Sequence, residues 1–292
     1  MREGQSLCAS YWSLLTVKNG EKTIVRAIES LLAQSVRPSL ICVVNDGSKD
    51  STAIMVQKLA DMNPGVIHII TLEDKGYDIR RIVHNWNTAC SYVNEYLKRE
   101  FDYLLITSDD VVLPRDYVER LIGKMETDTR LAIVSGTRGL EQSDRTSLPE
   151  GAGRLIRSSF FKQIGSKHPP YYGYEAWILY KALQLGYSIE KFHDITYDHI
   201  RTFGIGHNFI EYGPAMRCLG YHPLFVLARV TRNILTRKTG ISRRASVRMF
   251  FDYLFESRWK DDPYFRYFDP DLRIFVRNMQ KRRLLKKLEI KV

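Results

Sequence analysis

No uninterrupted apolar stretch of membrane-spanning length occurs in the 292 residues, so no segment reads as a transmembrane helix. The opening residues, MREGQSLCAS, lack the apolar core of a signal peptide. The expectation is a chain made and kept in the cytoplasm, with a peripheral position on the inner face of the cell membrane as its extension. Cysteine is scarce. Cys8, Cys42, Cys90 and Cys218 are far apart and show no CxxC spacing, which argues for reduced thiols and against a disulfide frame or zinc site. Neither a P-loop nor a GxGxxG fingerprint is present, and Gly47 stands alone, so neither standard phosphate-cradling loop is available. No RNP, KH or zinc-finger pattern occurs, and no nucleic acid is expected as partner. Internal repeats and low-complexity tracts are missing as well.

What is present supports a sizeable core, since 44% of the residues are hydrophobic. The net charge of +11 is unevenly placed. Residues 221–292 hold 18 Lys/Arg and 7 Asp/Glu, whereas the first 220 hold 26 of each. That split predicts a neutral globular domain over 1–220 and a basic, mostly helical extension over 221–292 with a partner of its own.

Short β-rich runs alternate with helical patterns through the first half. YWSLLTV (11–17), LICVV (40–44), VIHIITL (66–72), YLLIT (103–107) and LAIVSG (131–136) read as strands. Residues 21–34, 51–62 and 79–100 carry helical spacing, the second with Asp50 or Ser51 as N-cap. Strand and helix in alternation predict an α/β fold with a mostly parallel sheet covered on both faces.

Ligands of such sheets sit beyond the carboxyl ends of the strands. Three polar clusters fall there: TVKN (16–19), NDGSKDST (45–52) and TSDD (107–110). In the last, Asp109 and Asp110 stand side by side where an apolar strand ends. One reading is a cap or turn. The other is a divalent cation, Mg2+ or Mn2+, whose oxygen preference two carboxylates suit and which bridges to phosphates. Successive strand residues point to opposite faces, so one of the two is expected to touch the metal directly.

The text from residue 11 to about 52 closely resembles the opening of family 2 glycosyltransferases, inverting enzymes of the GT-A fold. LLITSDDVVLP resembles that family's Asp-x-Asp metal strand, and YEAWILYKALQLGYSI (174–189) its third motif, a carboxylate heading a helix that ends in Gly. The likeness spans roughly residues 11–200. Departures are visible: Thr16 stands where Pro is common, Lys18 for Tyr, Asn45 for the first Asp of the second motif, and Thr107 for the first acid of the metal motif. With Lys181 set on the family's Arg, Glu175 stands where the catalytic Asp is usual.

The resemblance implies transfer of a sugar from a nucleotide-diphosphate donor, UDP favoured, to a hydroxyl of a glycan or lipid-linked acceptor. It implies Glu175 as general base, the alternative being a first-turn carboxylate facing the helix dipole. Asp46 becomes the nucleobase contact, the alternative being an Asp-Gly turn. Thr16 and Asn19 would line the same pocket, and Asp109 would serve both donor and metal. Arg81 reaches base or diphosphate, or is a solvated turn residue. His199, and more remotely His207, would join Asp109 and Asp110 at the metal. The aromatic loop HPPYYGYEAW (168–177) reads as an acceptor loop or as tyrosines packed on the core.

The basic extension mixes Arg and Lys with aromatic residues at helical spacing. It suits an anionic membrane surface, or simply caps the core. Two rival functions remain: a sugar-1-phosphate nucleotidyltransferase, whose glycine-rich N-terminal loop is missing, and a nucleic-acid-binding module that would use the tail alone.

Overall fold

Strand β1 (Tyr11–Val17) is buried almost throughout, because strands flank both its edges and helices cover both faces. A computed structural model describes residues 9–76, 78–139, 148–201, 209, 211–236 and 241–289. Cys8 and His207 lie outside the described residues. The chain divides into two compact units, Met1–His168 with Gly186–Arg201, and Pro169–Leu185 with Thr202–Val292.

The first unit runs β1, α1 (Ile24–Leu32), β2 (Leu40–Asn45), α2 (Thr52–Met62), β3 (Ile67–Thr71), α3 (Ile82–Ser91), β4 (Tyr103–Ser108), β5 (Val111–Val112), α4 (Tyr117–Thr127), β6 (Leu131–Arg138), β7 (Arg154–Arg157) and α5 (Ser158–Gln163). After α6 (Tyr174–Gln184) of the other unit, β8 (Ser188–His199) completes its sheet. The strand order is β3-β2-β1-β4-β7-β6-β8-β5. Strands β1 to β4 are parallel, as the alternation predicts, and so are β6 and β8. Strand β7 is antiparallel to both β4 and β6, and β5 is antiparallel to β8. Alternate residues of the central strands join the sides of α1, α2 and α4 in one cluster that includes Leu15, Ile28, Val43, Leu105, Leu121 and Tyr197. Cys42 and Cys90 are free and buried, and burial pushes both thiols up, Cys42 to about 12.

Two expectations need correction. The helix of 79–100 is not one helix. A 3-10 turn (Ile79–Arg81) leads into α3, and a π turn (Tyr92–Leu97) ends on Lys98 at φ 49. That wider turn carries the Tyr92 hydroxyl to 3.0 Å from His68 Nδ1 on β3. Of the two N-cap candidates at α2, the Ser51 side chain makes no cap bond. Asp50 fills that role, its Oδ1 accepting from Thr52 N at 3.1 Å.

The second correction concerns the boundary expected at residue 220, which falls inside the second unit. That unit contains α6, α7 (Tyr212–Cys218), α8 (Pro223–Thr236), α9 (Arg243–Leu254) and α10 (Pro270–Glu289). Tyr180 of α6 shares a buried core with Met216, Val226, Met249 and Leu272. Its hydroxyl lies 2.6 Å from that of Tyr221, and Tyr253 donates to the Tyr221 carbonyl at 2.7 Å. Tyr172, from the aromatic loop, is buried in the same core and donates to Asp262 at 2.8 Å. The basic helices therefore build a core around α6 instead of trailing from a finished domain. Cys218 is buried here as a free thiol.

Candidate active site

The three polar clusters finish side by side. Parallel register sets Val17 beside Asn45, and Thr16 beside both Val44 and Ser108. The loops that leave these strands therefore share one edge of the sheet, as in other open α/β sheets.

At the end of β4, Asp109 and Asp110 occupy a turn, and β5 pairs at once with β8, placing Val111 opposite His199. That short ladder brings His199 Nδ1 to 3.3 Å from Asp110 Oδ2. Ser108 Oγ donates to Asp110 Oδ1 at 2.6 Å. On the far side of the ring, Arg138 Nη2 lies 3.2 Å from His199 Nε2. A guanidinium can only donate, so Nε2 accepts and the proton sits on Nδ1, facing Asp110. Burial pushes the Asp110 carboxyl up, but the bonds from His199 and Ser108 outweigh it and hold it below its ordinary range.

Asp109 is treated differently. Burial, reinforced by the charge of Asp110, pushes it up to about 6 against the opposing pull of Arg201 and Thr23. Arg201 Nη2 donates to Asp109 Oδ2, and Thr23 Oγ1 donates to the same oxygen at 3.2 Å. Gly20 makes the approach possible, since a Cβ there would stand 2.5 Å from Asp109 Oδ2. Two carboxylates and an imidazole suit a hard divalent cation. Among the described residues they are not already gathered as a metal cluster. Arg201 covers Asp109, and both nitrogens of His199 are engaged. The donor chemistry fits a cation, with Arg201 supplying the positive charge at Asp109.

A second cluster forms where β2 ends. Arg81 is buried, not solvated, and its Nη2 lies 2.5 Å from Asp46 Oδ1. Asp46 Oδ1 is thus ion-paired, and Arg81 Nη1 and Asn45 Nδ2 are buried without a hydrogen-bond partner among the described residues. Asn19, at φ 52, accepts from Lys49 N at 2.9 Å and donates its own N–H to Ser48 Oγ at 2.9 Å. Thr16 is half-buried at the end of β1. Lys18 and Asp74 carry no expected role, yet both border this cluster. The lysine donates to the Asp46 carbonyl at 2.7 Å and to Asp74 at 2.6 Å, and Lys49 reaches Asp74 at 2.8 Å. Bonds from the two lysines hold the Asp74 carboxyl well below its ordinary range. Gly47, at φ +64, lets this segment close in, because a Cβ would lie 2.4 Å from the Asp74 backbone. Arg80 pairs with its neighbour Asp78.

Glu175 belongs to the second unit. It is exposed in the first turn of α6, and Gly173 sits at the N-cap with φ 92. Lys181 donates to Gln184 at 2.9 Å. The structure thus pairs Asp110 with His199 and Asp46 with Arg81, while Asp109 is bound by Arg201 and Thr23. Arg201 and Arg138 have no place in the site expected from sequence. Continuing β8 at period two past His199 puts Arg201 on the same side, which is the one signal that points to it.

The family model for glycosyl transferase family 2 matches residues 14–185, more than half the chain. The chain belongs to glycosyl transferase family 2. This family 2 glycosyltransferase is 25% identical over 124 residues to poly-beta-1,6-N-acetyl-D-glucosamine synthase of Staphylococcus aureus, which covers 42% of this chain and 27% of that one. It is 31% identical over 128 residues to chondroitin synthase of Pasteurella multocida, covering 44% of this chain and 12% of the relative. The chain therefore spans about a quarter or less of the curated relatives it matches. Among solved structures it is similar to a mannosyltransferase from Pyrobaculum calidifontis determined with GDP-Man and Mn2+, with TM-score 0.62, 14% identity and coverage of 87% and 88% of the two chains. A structure of S. aureus TarS (residues 1–349) with UDP-GlcNAc matches with TM-score 0.53 and 13% identity over 86% of this chain and 73% of the other. These likenesses carry the GT-A fold. Membership decides against the nucleotidyltransferase and nucleic-acid-binding readings. No described helix of this glycosyltransferase is long and apolar enough to cross a membrane.

Proposed function

We propose that this glycosyltransferase moves a sugar, with inversion, from a UDP-sugar to a hydroxyl of a glycan or lipid-linked acceptor. The observation that carries the donor reading is a pair of buried donors, Asn45 Nδ2 and Arg81 Nη1, that have no hydrogen-bond partner among the described residues and flank the Asp46–Arg81 ion pair where β2 ends. A buried polar group without a partner costs about 1–3 kcal/mol. Asn45 Nδ2 and Arg81 Nη1 as donors, with the Asp46 carboxylate as acceptor, would suit a ligand that both donates and accepts. A uracil offers an imide N–H for Asp46 and carbonyl oxygens for Asn45 and Arg81. Thr16 and Asn19 line the same strand ends.

Asp109 and Asp110, joined by His199, would hold a divalent cation, Mn2+ or Mg2+. When bound, it supplies positive charge for the leaving diphosphate. Asp109 has to exchange its bond to Arg201 for the cation. His199 keeps Asp110 ionised and oriented. Glu175, in the first turn of α6, takes the proton of the acceptor hydroxyl as that oxygen attacks the anomeric carbon. The new carbon–oxygen bond forms as the bond to the diphosphate breaks, and a single displacement inverts the centre.

A thermal-shift screen of UDP-, GDP- and dTDP-sugars, each with and without Mn2+, tests the reading, because ligand binding stabilises the folded state by mass action. A Mn2+-dependent rise with UDP-sugars supports it. A rise with GDP-sugars alone overturns the uracil assignment, and no rise with any donor overturns the site.

A further inference from the structure

Helix α9 has two faces of opposite use. Ser246, Met249, Asp252 and Tyr253 are buried in the core of the second unit. The outer face carries Arg243, Val247 and Phe251 at successive four-residue steps, which stack along one side of a helix. Phe255 and Arg258 extend this surface past the helix end. With Arg244 and Arg248 these side chains line an open groove of about 690 Å3.

The groove is positive and greasy at once. Arg248 and Arg258 share one carboxylate, Asp252, each at 3.3 Å. Arg243 and Arg244 have no carboxylate within ion-pair distance among the described residues, and Arg243 Nε reaches only the Ile234 carbonyl at 3.4 Å. Four guanidiniums thus face one carboxylate. Between them Phe251 and Phe255 stack, with ring centroids 6.0 Å apart and planes within 8°. Their relative exposures are 45% and 51%. Two phenyl rings left in water cost free energy that burial would recover.

A free anion would satisfy the arginines and leave the rings wet. A purely apolar partner would cover the rings and strand the charges. The occupant that satisfies both has a phosphate layer over a hydrocarbon layer. Bases of a single-stranded nucleic acid also stack on aromatic rings, but aliphatic side chains offer no such platform. Here an exposed aliphatic side chain, Val247, lines the groove with the rings. Of the fourteen exposed large hydrophobic residues described, eleven belong to the second unit.

We propose that the outer face of α9 docks on an anionic phospholipid surface, its arginines taking headgroup phosphates and Phe251 and Phe255 entering the acyl boundary. This inference stands apart from the transfer reaction and fails or holds independently of the donor.

The test is co-sedimentation of the full chain with vesicles of phosphatidylcholine alone and of phosphatidylcholine with phosphatidylglycerol, at low and high salt. Binding is expected only with phosphatidylglycerol and is lost in high salt, where charges are screened. Arg243→Ser with Arg244→Ser should weaken it about thirtyfold, at roughly fivefold per basic side chain near the surface. Phe251→Ser with Phe255→Ser should weaken it too while leaving the salt dependence. All four side chains are exposed, so either pair reads out separately if the other harms folding, and the unmodified chain needs no variant. The proposal is overturned if the chain stays in the supernatant at low salt, binds phosphatidylcholine equally, or loses nothing with either pair. It is equally overturned if the groove pairs with a second copy, seen as a dimer that Phe251→Ser with Phe255→Ser dissociates.

Discussion

Arg201 rests on Asp109: its Nη2 donates to Oδ2, and Thr23 Oγ1 lies 3.2 Å from each of those two atoms. The carboxylate that the family's metal strand would use already has a cation, supplied by the chain. On the proposed reading, Arg201 and a divalent ion would compete for it. Arg201→Ala should therefore bind Mn2+ about two- to fivefold more tightly, the span expected of an ion pair whose arginine is half-exposed. Titration of Mn2+ followed by electron paramagnetic resonance reads this directly. Unchanged or weaker affinity would mean that Arg201 supports the cation site instead of filling it.

Glu175→Gln should keep donor affinity and lose roughly 10²- to 10⁴-fold in turnover, the usual contribution of a positioned base. Glutamine retains the shape and can no longer accept the proton. Near-normal turnover would move the role to another carboxylate. Asp198 on β8 is the first to try, because Asp194 is held by Arg120 at 3.1 Å.

Gly47→Ala should destabilise the first unit by about 1–3 kcal/mol, since it puts a side chain at a left-handed φ and against the Asp74 backbone. Urea unfolding measures the loss. Binding of UDP in the presence of Mn2+ should fall with it, because Asp46 is the preceding residue.

His168 gives a pH signature. Its ring is buried between Trp86 and Phe161, and burial pushes it down to about 3. The unfolded chain takes a proton near the ordinary histidine value, but the folded chain stays neutral. Stability from this group is thus full above about pH 6.5 and falls as the pH drops toward 3, by roughly 2 kcal/mol between pH 6.5 and 5. His168→Phe removes the titration while keeping a ring. The melting temperature of the unmodified chain should drop further between pH 7 and 5 than that of the variant. Equal drops would show that the ring is protonated in the fold.

The order β1-α1-β2-α2-β3 was legible because fully apolar runs alternate with helical spacing, and both patterns survive in the fold. Strand β7 was not. Its four residues, Arg154–Arg157, begin and end in arginine, yet they lie between β4 and β6, and Arg154 is buried, bonded to the Glu150 carbonyl at 3.0 Å. A charged residue satisfied by backbone carbonyls leaves no hydrophobic signature. The carboxylates at the strand ends were legible for a related reason: like charges side by side at a core edge need an explanation. The basic residues around them were not, since Arg138, Arg201 and Lys18 sit among ordinary basic residues until pairing of β5 with β8 and approach of the Asp74 segment bring them in. Charge is a poor guide to how the chain divides. Net charge reports the surface, whereas α6 and the basic helices are joined by buried tyrosines.

The central claim is that the carboxylates at the end of β4 make nucleotide-sugar binding depend on a divalent cation. The most direct measurement is calorimetric titration of UDP-GlcNAc, with and without Mn2+, into the unmodified chain and into a chain carrying both Asp109→Ala and Asp110→Ala. The account predicts Mn2+-dependent binding to the first, and loss of that dependence in the second with the melting transition still cooperative. Equal Mn2+-dependent affinity in both chains would contradict it.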